Sequence, residues 1–101
     1  MVLIYTTCKD TTEAVRLGDL IVKSHAAACV NIWPMQSMYM DGETLKSQTE
    51  ATLLIKTLES KQQEIEDLIL KNHTYAVPFI GAIEVRRVNR EYKEWMAGVI
   101  R

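Results

Sequence analysis

The 101-residue sequence predicts an α+β fold. The expected architecture is a ferredoxin-like split βαβ plait: an antiparallel sheet, a long hairpin joining its second and third strands, and an added C-terminal helix. Three observations carry that expectation. Strand-like runs rich in β-branched residues alternate with segments of helical apolar period. Asp41-Gly42 separates two such runs with no helix between them, a strong hairpin signal. The resulting order, β-α-β-β-α-β-α, is two βαβ halves joined by a hairpin, with residues 1–101 forming one domain.

The elements follow in order. VLIYTTC (2–8) is β-branched and aromatic and reads as a central strand. From Asp10 the period changes. Asp10 and Glu13 stand at capping-box spacing, then Ala14, Leu17, Leu20, Ile21 and Ser24 share one helical face while Arg16, Asp19 and Lys23 share the other. CVNIWPM begins the second strand, where Pro34 cannot donate to a ladder and so predicts a sheet edge or a bulge. TLKSQTEATLLIKTL returns as the third strand. Ser60 with Gln63 predicts the cap of a second helix, whose stripe is Ile65, Leu68, Ile69 and Asn72. PFIGAIEVRRV (78–88) reads as the fourth strand. Asn89 then caps a short helix carrying Tyr92, Trp95, Met96 and Val99 on one face. Consecutive Leu, Ile and Val in several strands call for cover on both sheet faces. One short C-terminal helix is small for that task, so a second copy of the chain is expected to cover the rest.

Composition narrows the function. A net charge of −1 gives no basic field for a nucleic-acid backbone, and the strands lack the stacking aromatics of RNA-recognition plaits. The apolar start is too short for a signal-peptide core, and no run approaches the ~20 residues that span a bilayer. A cytoplasmic protein is expected, with no nucleic-acid or membrane partner. Cys8 and Cys29 form no disulfide framework, zinc-finger spacing or C-x-x-C pair. No nucleophile–base–acid set, nucleophile elbow or phosphate-cradling glycine loop is present, so the chain is read as not an enzyme, without an organic cofactor.

Several side chains invite two readings each. His73, in KNHTYAVPFI, either finishes the second helix, where a cationic ring gains about 0.3–1 kcal/mol from the last carbonyls, or serves as a metal ligand or proton carrier. Cys8 is either a small buried hydrophobe or a thiol whose pKa the following helix N-terminus lowers. Cys29, within AAACVNI, reads as core, and His25 as solvent-exposed. Met35, Met38 and Met40 could offer thioethers to Cu(I), but their places along the strand favour packing in a hairpin arm or a subunit interface. Arg86 and Arg87 read as solvated.

YTTCKD closing the first strand, AAACVNIWP, LLIKT, H-x-Y-x-V-P and E-Y-x-E-W together resemble the CutA family, the divalent-cation-tolerance proteins. The match spans nearly the whole chain in order. The resemblance implies a tight homotrimer of architecture similar to the PII signalling proteins. It also implies binding of copper or another divalent cation, and no catalytic reaction. In the family, ligation is attributed to a first-strand cysteine and two adjacent histidines before the tyrosine. His73 matches the second histidine and Asn72 stands at the first; Thr6 stands at the ligating cysteine, and Cys8 matches a different cysteine of the TTC motif. Thr74 and Phe79 replace the usual proline and glutamate, and the hairpin tip reads MDGET. The metal ligands implied for this chain are therefore His73 and Cys8. The alternative function is a trimeric signalling or structural scaffold that binds a small ligand or a partner protein.

Overall fold

The computed structural model describes residues 1–101, in the order β1 (Val2–Cys8), α1 (Thr11–Lys23), β2 (Cys29–Asp41), β3 (Thr44–Thr57), a 3₁₀ turn (Glu59–Lys61), α2 (Gln62–Asn72), β4 (Ile80–Glu84) and α3 (Arg90–Val99). The four strands form one sheet in the order β2-β3-β1-β4, with every neighbouring pair antiparallel. This is the plait that the element order predicts. No helix is long and apolar enough to cross a membrane.

Strand periodicity decides which face is covered. Burial along β1 alternates residue by residue, so Val2, Ile4, Thr6 and Cys8 point to one side. Their β3 partners across the ladder, Thr57, Ile55, Leu53 and Ala51, are all buried. Leu17 and Ile21 of α1 and Ile65 and Ile69 of α2 close over that face in a single apolar cluster. α1 rotates slightly from its predicted stripe, placing Gly18 inside and Leu20 at the rim. A Cβ on Gly18 would lie 3.0 Å from Val30 Cγ2, so the small residue sets how closely α1 approaches β2.

The opposite face is only partly covered. α3 seats Met96 there, and Lys56 lies over the Tyr92 ring at 5.5 Å. Beyond it Trp33, Phe79 and Ile83 stay exposed, and the hairpin arm carries Met38, Tyr39, Met40 and Leu45 into solvent. Pro34 sits on edge strand β2, directly opposite Ala51, in a ladder that runs unbroken to Asp41–Thr44. The edge is therefore what tolerates the proline. Gly42 (φ +62°) opens the two-residue loop Gly42–Glu43 with the single positive φ of a type II′ turn.

Five local expectations are corrected. Ser60 does not cap α2; it lies in the 3₁₀ turn, and α2 starts behind Lys61 without a side-chain cap. Asn89 occupies the N-cap position of α3, but its side chain makes no capping bond. β4 spans Ile80–Glu84 rather than 78–88, since it pairs only with β1, whose Val2–Thr6 stretch it matches. His25 is half-buried, not solvated. It takes the left-handed conformation (φ 63°) just beyond α1, its Nδ1 lies 3.2 Å from the Val99 carbonyl, and its own carbonyl accepts the Arg101 N–H at 2.9 Å. Because a carbonyl only accepts, Nδ1 carries the proton, and the ring ties α1 to the end of α3. Cys29, expected in the core, is also half-buried, opposite Lys56 at the start of β2.

Leu53 is fully buried at the centre of the covered face. Leu53→Ala is expected to lower the stability of the chain by about 3 kcal/mol in urea denaturation, the cost of a buried cavity that cannot collapse. A loss under about 1 kcal/mol would show that this layer is not closely packed.

Candidate metal centre

β1 ends at Cys8, and α1 begins three residues later. Asp10 Oδ1 accepts the Glu13 N–H at 2.8 Å, half of the predicted capping box. The other half is displaced by one residue: Glu13 Oε1 accepts the Lys9 N–H at 3.0 Å, not that of Asp10. This turns the Glu13 side chain inward, where the residue is 3% exposed. Its second oxygen accepts the Thr74 N–H at 3.0 Å, and Arg16 stands 3.6 Å away. One carboxylate thus joins the β1–α1 turn to the segment after α2.

That segment begins with His73. It leaves α2 in extended conformation (φ −77°, ψ 146°) while its N–H still bonds the Ile69 carbonyl at 2.8 Å. Nε2 lies 2.8 Å from the Thr7 carbonyl, and Nδ1 lies 3.0 Å from the Tyr75 N–H. A carbonyl accepts and a backbone amide donates, so the ring is held with its proton on Nε2 and its lone pair on Nδ1. The helix-end reading therefore holds for the His73 backbone, but the imidazole serves β1 and Tyr75 rather than the last helical carbonyls. The Tyr75 hydroxyl donates to Glu50 Oε2 on β3. Burial and the Glu50 carboxylate push the phenol well above its ordinary pKa, which keeps it a donor.

Cys8 is fully buried beside these groups. Its Sγ, a Glu13 carboxylate oxygen and a His73 ring nitrogen all lie within 4.8 Å of one another. Burial, then the Glu13 carboxylate, push the thiol up to about 12, against a smaller opposing effect of Arg16. Of the two readings of Cys8, the structure favours the buried residue over the activated thiol: desolvation and a neighbouring anion outweigh the helix field. For Glu13, burial alone raises the carboxyl, but hydrogen bonds from Thr74 and the Lys9 amide, with the His73 ring nearby, leave it below its ordinary value.

Sulfur, imidazole nitrogen and carboxylate oxygen are the donors that zinc and copper take. Tetrahedral bonds of ~2.0–2.3 Å place ligand atoms roughly 3.5 Å apart, so a separation of up to 4.8 Å needs modest closure. The donor set fits a borderline divalent cation as a three-ligand centre, with a further position for water or a side chain from another copy. Thr6 and Asn72 take no part: the Thr6 hydroxyl donates to the Phe79 carbonyl at 2.8 Å, and the Asn72 amide to the Leu68 carbonyl at 2.8 Å. The methionines form no thioether centre here. Met35 Sδ accepts from Thr52 Oγ1 at 2.9 Å, and Met38 and Met40 stand exposed on the arm.

The sequence pattern of the CutA1 divalent ion tolerance protein family matches residues 2–99. The chain belongs to that family. The divalent-cation tolerance protein CutA of Archaeoglobus fulgidus is 32% identical over 93 residues, covering 92% of this chain and 91% of that protein. The chloroplastic protein CutA 1 of rice is also 32% identical, over 94% of this chain and 54% of its own greater length. Among solved structures, the periplasmic divalent cation tolerance protein CutA of A. fulgidus superposes with a TM-score of 0.94 at 30% identity, covering 100% of both chains. CutA1 of Pyrococcus horikoshii gives 0.95 at 28% identity over 100% of this chain and 99% of its own. Family and fold are thus shared along essentially the full chain.

Sequence reasoning located Cys8 and His73 but missed Glu13, Glu50 and Tyr75 as members of one cluster. Glu13 was legible only as a capping residue, and nothing local marks a cap that also reaches across the fold. Tyr75 lies within H-x-Y-x-V-P, while Glu50 at the base of the arm carries no signal of its own.

The Glu13 carboxyl titrates below its ordinary value, so its contribution is complete above the unfolded-state pKa and is lost as pH falls through the lower folded-state value. Glu13→Gln, which turns an amide donor toward one of two N–H groups, is expected to cost about 2 kcal/mol near neutrality. The gap to wild type should shrink on acidification through that range, as followed by urea denaturation at a series of pH values. A gap independent of pH would contradict the charged role.

Proposed function

We propose that this chain is a non-enzymatic, homotrimeric, cytoplasmic protein that binds a divalent cation of the copper or zinc type. Cys8, Glu13 and His73 are its ligands. One observation carries the reading: three chemically suitable donors from β1, α1 and the end of α2 converge within 4.8 Å in a family of divalent-ion tolerance proteins. A bound cation would displace the thiol proton of Cys8 and neutralise the Glu13 charge. The reading as a binder rather than an enzyme is supported by the Cys8 thiol itself, which burial holds protonated with a pKa of about 12 and so unsuited to attack. Thiol ligation also favours the cytoplasm, where cysteines stay reduced.

The trimer is supported by the half-bare second face of the sheet. Trp33, Phe79 and Ile83 on that side, and Met38, Met40 and Leu45 on the arm, are large apolar side chains left exposed, and grouped exposed apolar residues mark interaction surfaces. Closed symmetric assembly is the usual way to cover it. A second reading is a PII-like scaffold for a small ligand or partner protein. It is favoured by the hydrogen bonds that already occupy both Glu13 oxygens and both His73 nitrogens.

Calorimetric titration with Cu²⁺ and Zn²⁺ separates the two. Micromolar or tighter binding to wild type, lost in His73→Ala, supports the cation reading; no binding at micromolar concentrations, with one stoichiometric partner recovered from lysate, supports the scaffold. Light scattering should give about three times the 11.6 kDa of one chain, and a monomer in dilute buffer would remove the trimer.

A further inference from the structure

The strongest constraint on this cluster is that its histidine has no free lone pair. Resting on the reading of Cys8, Glu13 and His73 as ligands, we propose that cation binding and closure of the segment from His73 to Phe79 exclude one another. A divalent cation then acts as a release signal for that segment.

The three donors differ in what they must give up. A carboxylate oxygen has two lone pairs, so Glu13 can keep the N–H groups of Lys9 and Thr74 and still accept a cation. Cys8 has only to lose its thiol proton to solvent as the metal–sulfur bond forms. A neutral imidazole has one in-plane lone pair, and here the Tyr75 N–H occupies it at 3.0 Å from Nδ1. Coordination through Nδ1 breaks that bond. Coordination through Nε2 moves the proton to Nδ1, breaks the 2.8 Å bond to the Thr7 carbonyl and sets Nδ1–H against the Tyr75 N–H. Either route undoes a bond that fixes the segment.

The segment is held at its two ends and bare between them. At its start stand His73, Thr74 N–H on Glu13 and the Tyr75 hydroxyl on Glu50. At its end the Phe79 carbonyl accepts the Thr6 hydroxyl at 2.8 Å. Between them Ala76 and Val77 are exposed, Val77 at 90%. Freeing His73 removes the bond that orients Tyr75, so the Tyr75–Glu50 bond is given up with it; Thr74 stays tethered to Glu13, and the apolar stretch beyond it moves relative to the rigid sheet.

Linkage gives a counter-intuitive test. A bond made only in the closed state lowers apparent cation affinity, so removing it must raise affinity by the same factor. The Tyr75–Glu50 bond is such a bond, and Tyr75→Phe removes it while keeping the ring that lies 4.9 Å from the His73 imidazole. Zinc chloride alone is titrated calorimetrically into wild type, Tyr75→Phe and His73→Ala, with amide hydrogen exchange of Thr74–Phe79 followed with and without zinc. Tyr75→Phe should bind about tenfold or more tightly than wild type, the factor expected for loss of a hydrogen bond to a charged group. In wild type, zinc should speed exchange of the Tyr75 amide. Equal or weaker affinity in Tyr75→Phe, with Tyr75 exchange unchanged or slowed by zinc, overturns the coupling while leaving the ligand reading intact if His73→Ala abolishes binding. Absence of zinc binding in wild type and every variant overturns both.

Discussion

A buried carboxylate that holds two backbone amides is the interaction on which the rest of this site depends. Glu13 sits 3% exposed with Lys9 N–H on one oxygen and Thr74 N–H on the other. An ionised carboxylate stripped of water and left unpaired is costly enough that the group would neutralise. Both chain segments must therefore be in place together: the turn from β1 into α1, and the stretch leading from α2 to β4. Once they are, Cys8 is sealed beneath them, His73 is brought against Thr7, and Tyr75 reaches Glu50 at the root of the arm. Charge burial at one residue organises contacts from four elements.

The plait beneath was largely legible, because periodicity and punctuation report on local constraints. The β-branched and aromatic run VLIYTTC predicted a central strand. Pro34 predicted an edge or a bulge, and Asp41-Gly42 a tight hairpin. Each of these depends on backbone chemistry within a few residues. Where the outcome depends on a distant partner, reading fails. Ser60 has the chemistry of a cap, but the chain enters α2 through a 3₁₀ turn and leaves it none to make. His25 has no local reason for burial, and only the return of α3 supplies the Val99 carbonyl it bonds. The site divides in the same way. The TTC and H-x-Y-x-V-P motifs point to Cys8 and His73, whereas the roles of Glu13 and Glu50 exist only after β1, β3 and the α2–β4 segment are assembled.

This chain shares the scaffold of the CutA1 family along essentially its full length. The threonine at position 6 and the asparagine at position 72 are both absorbed into the fold, one pinning the Phe79 carbonyl and the other closing the end of α2. Beside them stands a mixed thiol, carboxylate and imidazole set, in which every group except the thiol already has hydrogen-bond partners. Such a set tightens the closed form when empty and offers a cation donors of three kinds. The exposed Trp33, Phe79 and Ile83 lie on the sheet face opposite α1 and α2, so packing by a second copy would lean on the strands that carry the cluster.

The central claim is that Cys8, Glu13 and His73 together take a divalent cation. Zinc K-edge X-ray absorption of the loaded protein tests it most directly, because sulfur is distinguishable from lighter donors. The claim predicts one sulfur at ~2.3 Å with nitrogen and oxygen neighbours at ~2.0–2.2 Å, the sulfur vanishing in Cys8→Ser. A coordination shell of oxygen and nitrogen alone in the wild-type protein would contradict it.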